Sequence, residues 1–571
     1  MKEPNSTIFD QGTRGISKIF PLSSTQYRFI CFISCVILLA LIVLPRFIHL
    51  DADHPPDYLP TDFGYHIDEG YKTLSPKNLL IFNQTNWHPQ DKYQGWMNTS
   101  PATQWPFFLV FKNYGLELAH ARTVNVIYFI LFLIVTLFLL SKRYGFLFAL
   151  LAPLLLATDI GLFHFSRNAI FEITIIFFIY NGFLLLSRVT FNNYLLALTF
   201  LVIFALFTMF TVKESAILYY APSIITFSFL LTFANKQPEK RNTLYLIPLA
   251  LSLLVVAILT RDTWLYRIHL DTIPFRFLLN PMPDISPLAL LLGYSCILHI
   301  LLVKPEALYK DLYRLSLVAT VIGAPLLLSF FKYNPSRYYV AILPACLLLA
   351  VEWAHLKLWK NPANLFPTIA NKIVITIVFI PFAMCLLRAI EILIIKNLPI
   401  NIGEDPGISL PTLYKLFPIF LFVLTITFYI TRNKLIAVLG FAIPLLALTH
   451  VATGIFQQTN TLMHPSYDSK KIREALELKI KNTESIAGDW APFFTAETPI
   501  RSFYMSKNIN FPSPEHINKI RPNYFLSSDS PFDPASLDAL QSNKQIELGS
   551  PIILGTFMDH DIKLYQINYL K

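Results

Sequence analysis

Long apolar runs separated by short polar ones set the pattern of this chain. A helix needs about 20 mostly apolar residues to cross a bilayer. By that rule spans are expected near 29–49, 121–141, 145–163, 169–187, 194–212, 215–233, 243–260, 287–304, 315–331, 337–354, 373–393, 412–430 and 433–451, about thirteen in all. The polar segment 51–120 interrupts this series early. Near its end Pro101, Trp105, Pro106, Phe107 and Phe108 read as an interfacial helix lying along the membrane surface. After residue 452 the pattern changes to mixed polar. Residues 468–480 have helical spacing, Ser485 to Asp489 reads as a strand running into a turn, and Pro551–Phe557 and Ile562–Ile567 read as a hairpin around Asp559-His560-Asp561. The expected fold is mainly α. It has a cytoplasmic tail (1–28), a polytopic transmembrane bundle (29–451, including the outer loop 51–120) and a small outer α/β domain (452–571).

Composition agrees. The 571 residues are 54% hydrophobic and only 14% charged, against roughly 25% charged in soluble domains. The net charge of +10 reflects basic residues kept in cytoplasmic connections, and nucleic acid is not an expected partner. With the basic tail inside, every short inner connection carries Lys or Arg, among them Lys142-Arg143, Arg188, Lys236, Lys310 with Arg314, Lys357 and Arg432. The alternation closes with an odd number of spans, the N-terminus cytoplasmic and the C-terminal domain outside, in a multi-pass protein of the cell membrane. The five cysteines all lie in apolar runs, so no disulfide framework and no paired-cysteine metal site is expected.

This topology puts most chemistry-bearing residues on the outer face. Tyr65-His66-Ile67-Asp68-Glu69-Gly70-Tyr71 holds two adjacent carboxylates that are either a solvated turn or a catalytic pair. A carboxylate at the mouth of a helical bundle can act as general base on an acceptor hydroxyl. Neighbours on a helix diverge by about 100°, so one of the two is expected to face the cleft. In Ser166-Arg167-Asn168-Ala169-Ile170-Phe171-Glu172 the acid lies inside an apolar run, as a structural ion pair or part of a site. Lys213-Glu214 is a short charged loop or a functional pair. Lys332, Arg337 and Tyr338, in Lys332-Tyr333-Asn334-Pro335-Ser336-Arg337-Tyr338-Tyr339, suit an anionic phosphate or anchor a membrane edge, and Arg261, Arg267 and Arg276 are weaker phosphate candidates. A divalent metal stays open as a cofactor, with His66, Asp68 and Glu69 as ligand candidates, although no metal-type spacing is present.

The order of these features resembles a known family. A span leads to an outer Asp68-Glu69, then to Ser100-Pro101 through Phe108, Ala121-Arg122 at the second span, Ser166-Arg167 with Glu172, Lys213, and Arg337-Tyr338-Tyr339 with Pro344. Together they resemble the C-type integral-membrane glycosyltransferases, in particular the protein O-mannosyltransferases and the aminoarabinose transferase of lipid A. The resemblance implies a polyprenyl-phosphate-linked sugar donor and an extracytoplasmic acceptor. It implies Asp68 as catalytic carboxylate with Glu69 beside it, and Lys213 and Arg337 on the carrier phosphate. Arg167 and Glu172 fall on the family's arginine and acidic positions, with Glu where Asp is usual. The runner-up function is a transporter or flippase of a lipid-linked sugar. That class places ionisable groups near mid-membrane, often in repeated halves, whereas here they cluster on one face. A third reading, a non-catalytic scaffold for the outer domain, gives no reason for Asp68, Glu172 and Arg337 to share a side.

Overall fold

The computed structural model describes residues 40–55, 64–86, 97–188, 194–233, 285–303, 306–309, 311–329, 335–358, 410–505, 513–528 and 534–570, with a few isolated positions. Lys332, the expected spans 243–260 and 373–393, the loop arginines Arg261, Arg267 and Arg276, and the tail 1–28 lie outside the described residues.

Among the described residues, four helices are long and apolar enough to cross a membrane: Leu118–Tyr144, Leu312–Ser329, Ser336–Leu356 and Ile436–Met463. Shorter apolar helices cover Glu172–Leu186, Leu196–Thr211 and Pro287–Val303. On Leu118–Tyr144 the exposed apolar side chains are Ile127, Leu131, Ile134 and Phe138. Their three- and four-residue spacing makes one stripe. The opposite face buries Phe129, Phe132, Leu133 and Leu140 in the main core. An exposed apolar stripe of this length suits lipid rather than water. Inside the bundle small residues set the closest approaches. A Cβ on Gly293 would lie 2.6 Å from the Cβ of Cys346, which draws Pro287–Val303 against Leu343–Leu358.

Three of the expected spans differ from expectation. The run 145–163 is not one helix but three pieces, Phe146–Ala149, Leu151–Thr158 and Ile160–Ser166. Asp159 breaks it. Its backbone is extended, its Oδ1 accepts from the Leu162 amide at 2.8 Å and its Oδ2 from the Ser286 hydroxyl at 2.6 Å, so it caps a helix start instead of continuing one. The runs 412–430 and 433–451 form a single helix, Leu410–Met463, of 54 residues. Thr431-Arg432-Asn433-Lys434 between them contains no glycine or proline to end it. This long helix crosses the broken one where Gly454 meets Thr158, too close for any side chain.

The two ends of the bundle carry separate charge networks. At one end, expected to be inner, Arg143 pairs with Asp311, and Arg314 pairs with Glu352 at 2.7 Å, with the Tyr144 hydroxyl also donating to Glu352. The site described below lies at the other. The expected interfacial helix is Pro101–Tyr114, burying Thr103, Gln104, Phe107 and Phe111 and exposing Trp105 and Leu109.

Beyond the long helix the chain forms an α/β unit. Helix Asp468–Lys479 leads to β1 (Ser485–Gly488), β2 (Arg501–Tyr504), β3 (Tyr524–Ser528), β4 (Ile546–Leu548), β5 (Ile552–Phe557) and β6 (His560–Tyr569). The sheet order is β2-β1-β3-β6-β4, with β5 also on β6. β1 runs parallel to β2 and β3, and β6 is antiparallel to β3, β4 and β5. The expected strand at Ser485 and the expected hairpin are thus β1 and β5–β6.

Candidate active site

The site is organised on the helix Gly64–Phe82, which lies between the bundle and the α/β unit. Its two faces do different things. Asp68 turns toward three helix ends of the bundle. Its Oδ2 is 2.9 Å from Arg337 Nε, and that nitrogen is 3.8 Å from Glu172 Oε1. Glu172 is in turn 3.7 Å from Lys213 Nζ. Each element delivers one side chain. Glu172 opens the helix Glu172–Leu186, Lys213 follows Tyr194–Thr211, and Arg337 sits on the 3-10 turn Ser336–Ile342. That turn is held by the Tyr219 hydroxyl donating to the Tyr338 carbonyl at 2.6 Å. Lys213 Nζ stands 4.7 Å above the Tyr338 ring, with the Arg337 guanidinium 5.6 Å from it. All four charged residues are buried, Asp68 least so at 8% exposure.

Glu69 faces elsewhere. Arg122 Nε and Nη2 donate to its two oxygens at 2.7 Å each, and the Ala169 amide donates to Oε1 at 2.7 Å. Arg122 Nη1 also holds the carbonyls of Leu50 and Ala52, at 2.8 and 2.7 Å. This is a completed buried ion pair that ties the site helix to the bundle, and it turns Glu69 away from Asp68. Arg167 likewise leaves the cluster. Nη1 donates to the Ile48 carbonyl at 2.7 Å and Nη2 to the His49 carbonyl at 2.8 Å, so Arg167 secures the end of the first apolar run.

A solved structure with the same overall path is ArnT from Cupriavidus metallidurans in the apo state. It aligns over 94% of this chain and 98% of that one, with TM-score 0.51 and 11% identity. ArnT bound to undecaprenyl phosphate aligns over 95% and 98%, at 11% identity and TM-score 0.46. No family model matches the chain, and no curated protein does. The apo likeness decides the architecture. This chain shares the fold of ArnT.

On that fold, the metal candidates do not form one set. His66 packs against the rings of Phe493 and Phe557 at 5.7 and 5.3 Å and lies 5.5 Å from the His54 ring. It is one helix face away from Asp68, and burial drives it down to about 3, so it stays neutral at physiological pH. Among the described residues no group of three His, Cys, Asp or Glu side chains is arranged to hold a metal.

One residue of the site escapes the sequence pattern. Lys72 lies one turn after Asp68 with its Nζ 4.6 Å above the Phe171 ring. Its spacing of four from Asp68 is a legible signal. Burial is the main force on both. It raises the Asp68 carboxyl above the ordinary range against the pull of Arg337, Lys72 and Lys213, and it lowers Lys72 to about 7, helped by Lys213.

The α/β unit packs against the site helix. Tyr71 and Tyr504 rings are 4.0 Å apart. Lys77 Nζ donates to the carbonyls of Thr495 and Ile500 at 2.6 and 2.9 Å. Glu497 accepts from the Leu118 amide at 2.9 Å and pairs with Arg473 at 3.2 Å. At Gly70 a Cβ would lie 2.3 Å from the Phe493 amide nitrogen. Only glycine lets these backbones meet.

Proposed function

We propose that this chain is a membrane glycosyltransferase that transfers a hexosyl or pentosyl group from a polyprenyl-phosphate-linked donor to an acceptor on the extracytoplasmic face of the cell membrane. The observation that carries this reading is the convergence of Asp68, Glu172, Lys213 and Arg337 in one buried cluster at one end of a C-type glycosyltransferase fold. Asp68 is the general base that takes the acceptor proton as its oxygen attacks the anomeric carbon with inversion. Lys213, Arg337 and the Tyr338 edge meet the carrier phosphate, where negative charge develops as the sugar leaves. Glu172 holds Lys213 and Arg337 in place until the phosphate takes them over. The apolar faces around the cluster limit water, which would otherwise hydrolyse the donor. The basic connections support an orientation with the cluster and the α/β unit outside the cell, and residues 452–571 as an extracytoplasmic domain.

The test is Asp68→Asn in the full-length protein, reconstituted in proteoliposomes with a polyprenyl-phosphate sugar. Transfer is expected to fall about 10²- to 10⁴-fold in the folded protein. Wild-type turnover in the folded variant would remove Asp68 from the mechanism. The elevated Asp68 carboxyl also carries a pH signature. The base must be ionised, so activity rises with pH through a value above the ordinary aspartate range of about 3.9.

A further inference from the structure

We propose that Lys72 takes up a proton when the phosphodiester of a lipid-linked donor enters the Asp68 cluster, and then holds that phosphate as the third cation beside Lys213 and Arg337. The inference rests on the donor class given above and deepens it.

The geometry sets Lys72 beside the Asp68 cluster. It follows Asp68 by one helical turn, so both side chains leave the same face of Gly64–Phe82. Its Nζ lies above Phe171, the residue directly before Glu172. The charges acting on it come from every side of the cluster: Lys213, Asp68, Glu172 and Arg337. The adjacent helix Pro101–Tyr114 adds Gln104, whose Nε2 donates to the Lys72 carbonyl at 2.7 Å, while its own Lys112 and Tyr114 are exposed.

The charge count then makes a demand. Asp68 and Glu172 cancel Lys213 and Arg337, so without a ligand the cluster is neutral only if Lys72 is uncharged. Net charge in a buried site is costly, and desolvation brings Lys72 to about 7. A phosphodiester brings one negative charge. Protonation of Lys72 restores neutrality, with three cations facing two carboxylates and the phosphate.

The same balance survives the reaction. The acceptor O–H bond breaks and its oxygen bonds to the anomeric carbon. The bond from that carbon to the phosphate oxygen breaks, and its electron pair stays on the phosphate. The acceptor proton moves to Asp68. Asp68 becomes neutral as the phosphate gains its second charge, so three negative charges again face three positive ones. A protonated Lys72 therefore lets the charge shift without leaving the site charged at either end.

The experiment uses the full-length protein in zwitterionic nanodiscs and the methyl phosphodiester of a polyprenyl alcohol. That probe keeps a single negative charge across the pH range and binds no proton of its own. Calorimetric titration at pH 8 in two buffers of different ionisation enthalpy counts the protons taken up. Wild-type protein is expected to take up roughly 0.9 proton per ligand at pH 8 and roughly 0.1 at pH 6. Its affinity should weaken about tenfold per pH unit above neutrality. Lys72→Arg, permanently charged, should bind the probe with no uptake and a flat pH profile. Lys72→Met should bind more weakly, also without uptake. Wild-type binding with no proton uptake overturns the inference and leaves the donor class standing. Undiminished uptake in Lys72→Arg overturns it by assigning the proton to another group. Failure of the wild type to bind the probe at any pH overturns both.

Discussion

Asp68 and Glu69 are chemically near-identical neighbours with opposite surroundings. The turn of about 100° between them sends Asp68 to the cluster of Arg337, Glu172 and Lys213. Glu69 goes to a closed set of donors from Arg122 and Ala169. Glu69→Gln should therefore behave as a stability mutation. It leaves the Arg122 guanidinium buried without its counter-charge, a loss of about 3–5 kcal/mol. Thermal unfolding in detergent checks this: Glu69→Gln should melt well below the wild type. Melting of Glu69→Gln at the wild-type temperature would mean that the Glu69 pair carries no such load.

At the scale of elements, the site helix is gripped by the α/β unit, chiefly through Gly70 and Lys77. A side chain at residue 70 has no space against Phe493, so Gly70→Ala should cost at least about 1–3 kcal/mol through forced separation. Hydrogen exchange should then rise in 64–82 and 491–504 together. Unchanged protection in both segments would show that the contact is not needed. Lys77 is brought to about 7 by burial alone, and an uncharged amine has two N–H groups for the two carbonyls it meets. Its folded value lies below its unfolded value of 10.5, so between about 7 and 10.5 unfolding takes up a proton and stability rises with pH. Lys77→Met should be less stable and should lose this component of the pH dependence. A wild-type slope in the Lys77→Met protein would assign that component to other groups.

At the scale of the molecule, the bundle and the α/β unit hold the same helix, Gly64–Phe82. Asp53 ties the two as well, accepting from the Ser469 amide at 2.9 Å and from its hydroxyl, and His49 meets the Tyr467 hydroxyl at 2.7 Å. A chain ending at Met463 should still enter the membrane, because its spans are unchanged. It should lose transfer, since the face of Gly64–Phe82 that carries Ile67, Gly70 and Lys77 loses its cover. Transfer at the wild-type rate from that shortened protein would show the α/β unit to be dispensable.

The sequence alone determined several of the apolar spans, the change of character after 452, the strand and hairpin of the C-terminal unit, and the choice of Asp68, Glu172, Lys213 and Arg337 as site candidates. Hydropathy, a period of 3.6 or 2, and a charge set in an apolar run are properties of a few neighbouring residues, so they survive in one dimension. Tertiary structure decided which carboxylate faces the cluster and that Arg167 holds backbone carbonyls. It also decided that Lys72 joins the site, that Asp159 breaks one span, and that Leu410–Met463 is continuous. Most of these depend on partners far along the chain. Glu69 meets Arg122 53 residues later, and Lys77 meets Ile500 423 residues later. An adjacent pair such as Asp68-Glu69 carries no mark of which partner each will find until the helices that bring those partners have packed.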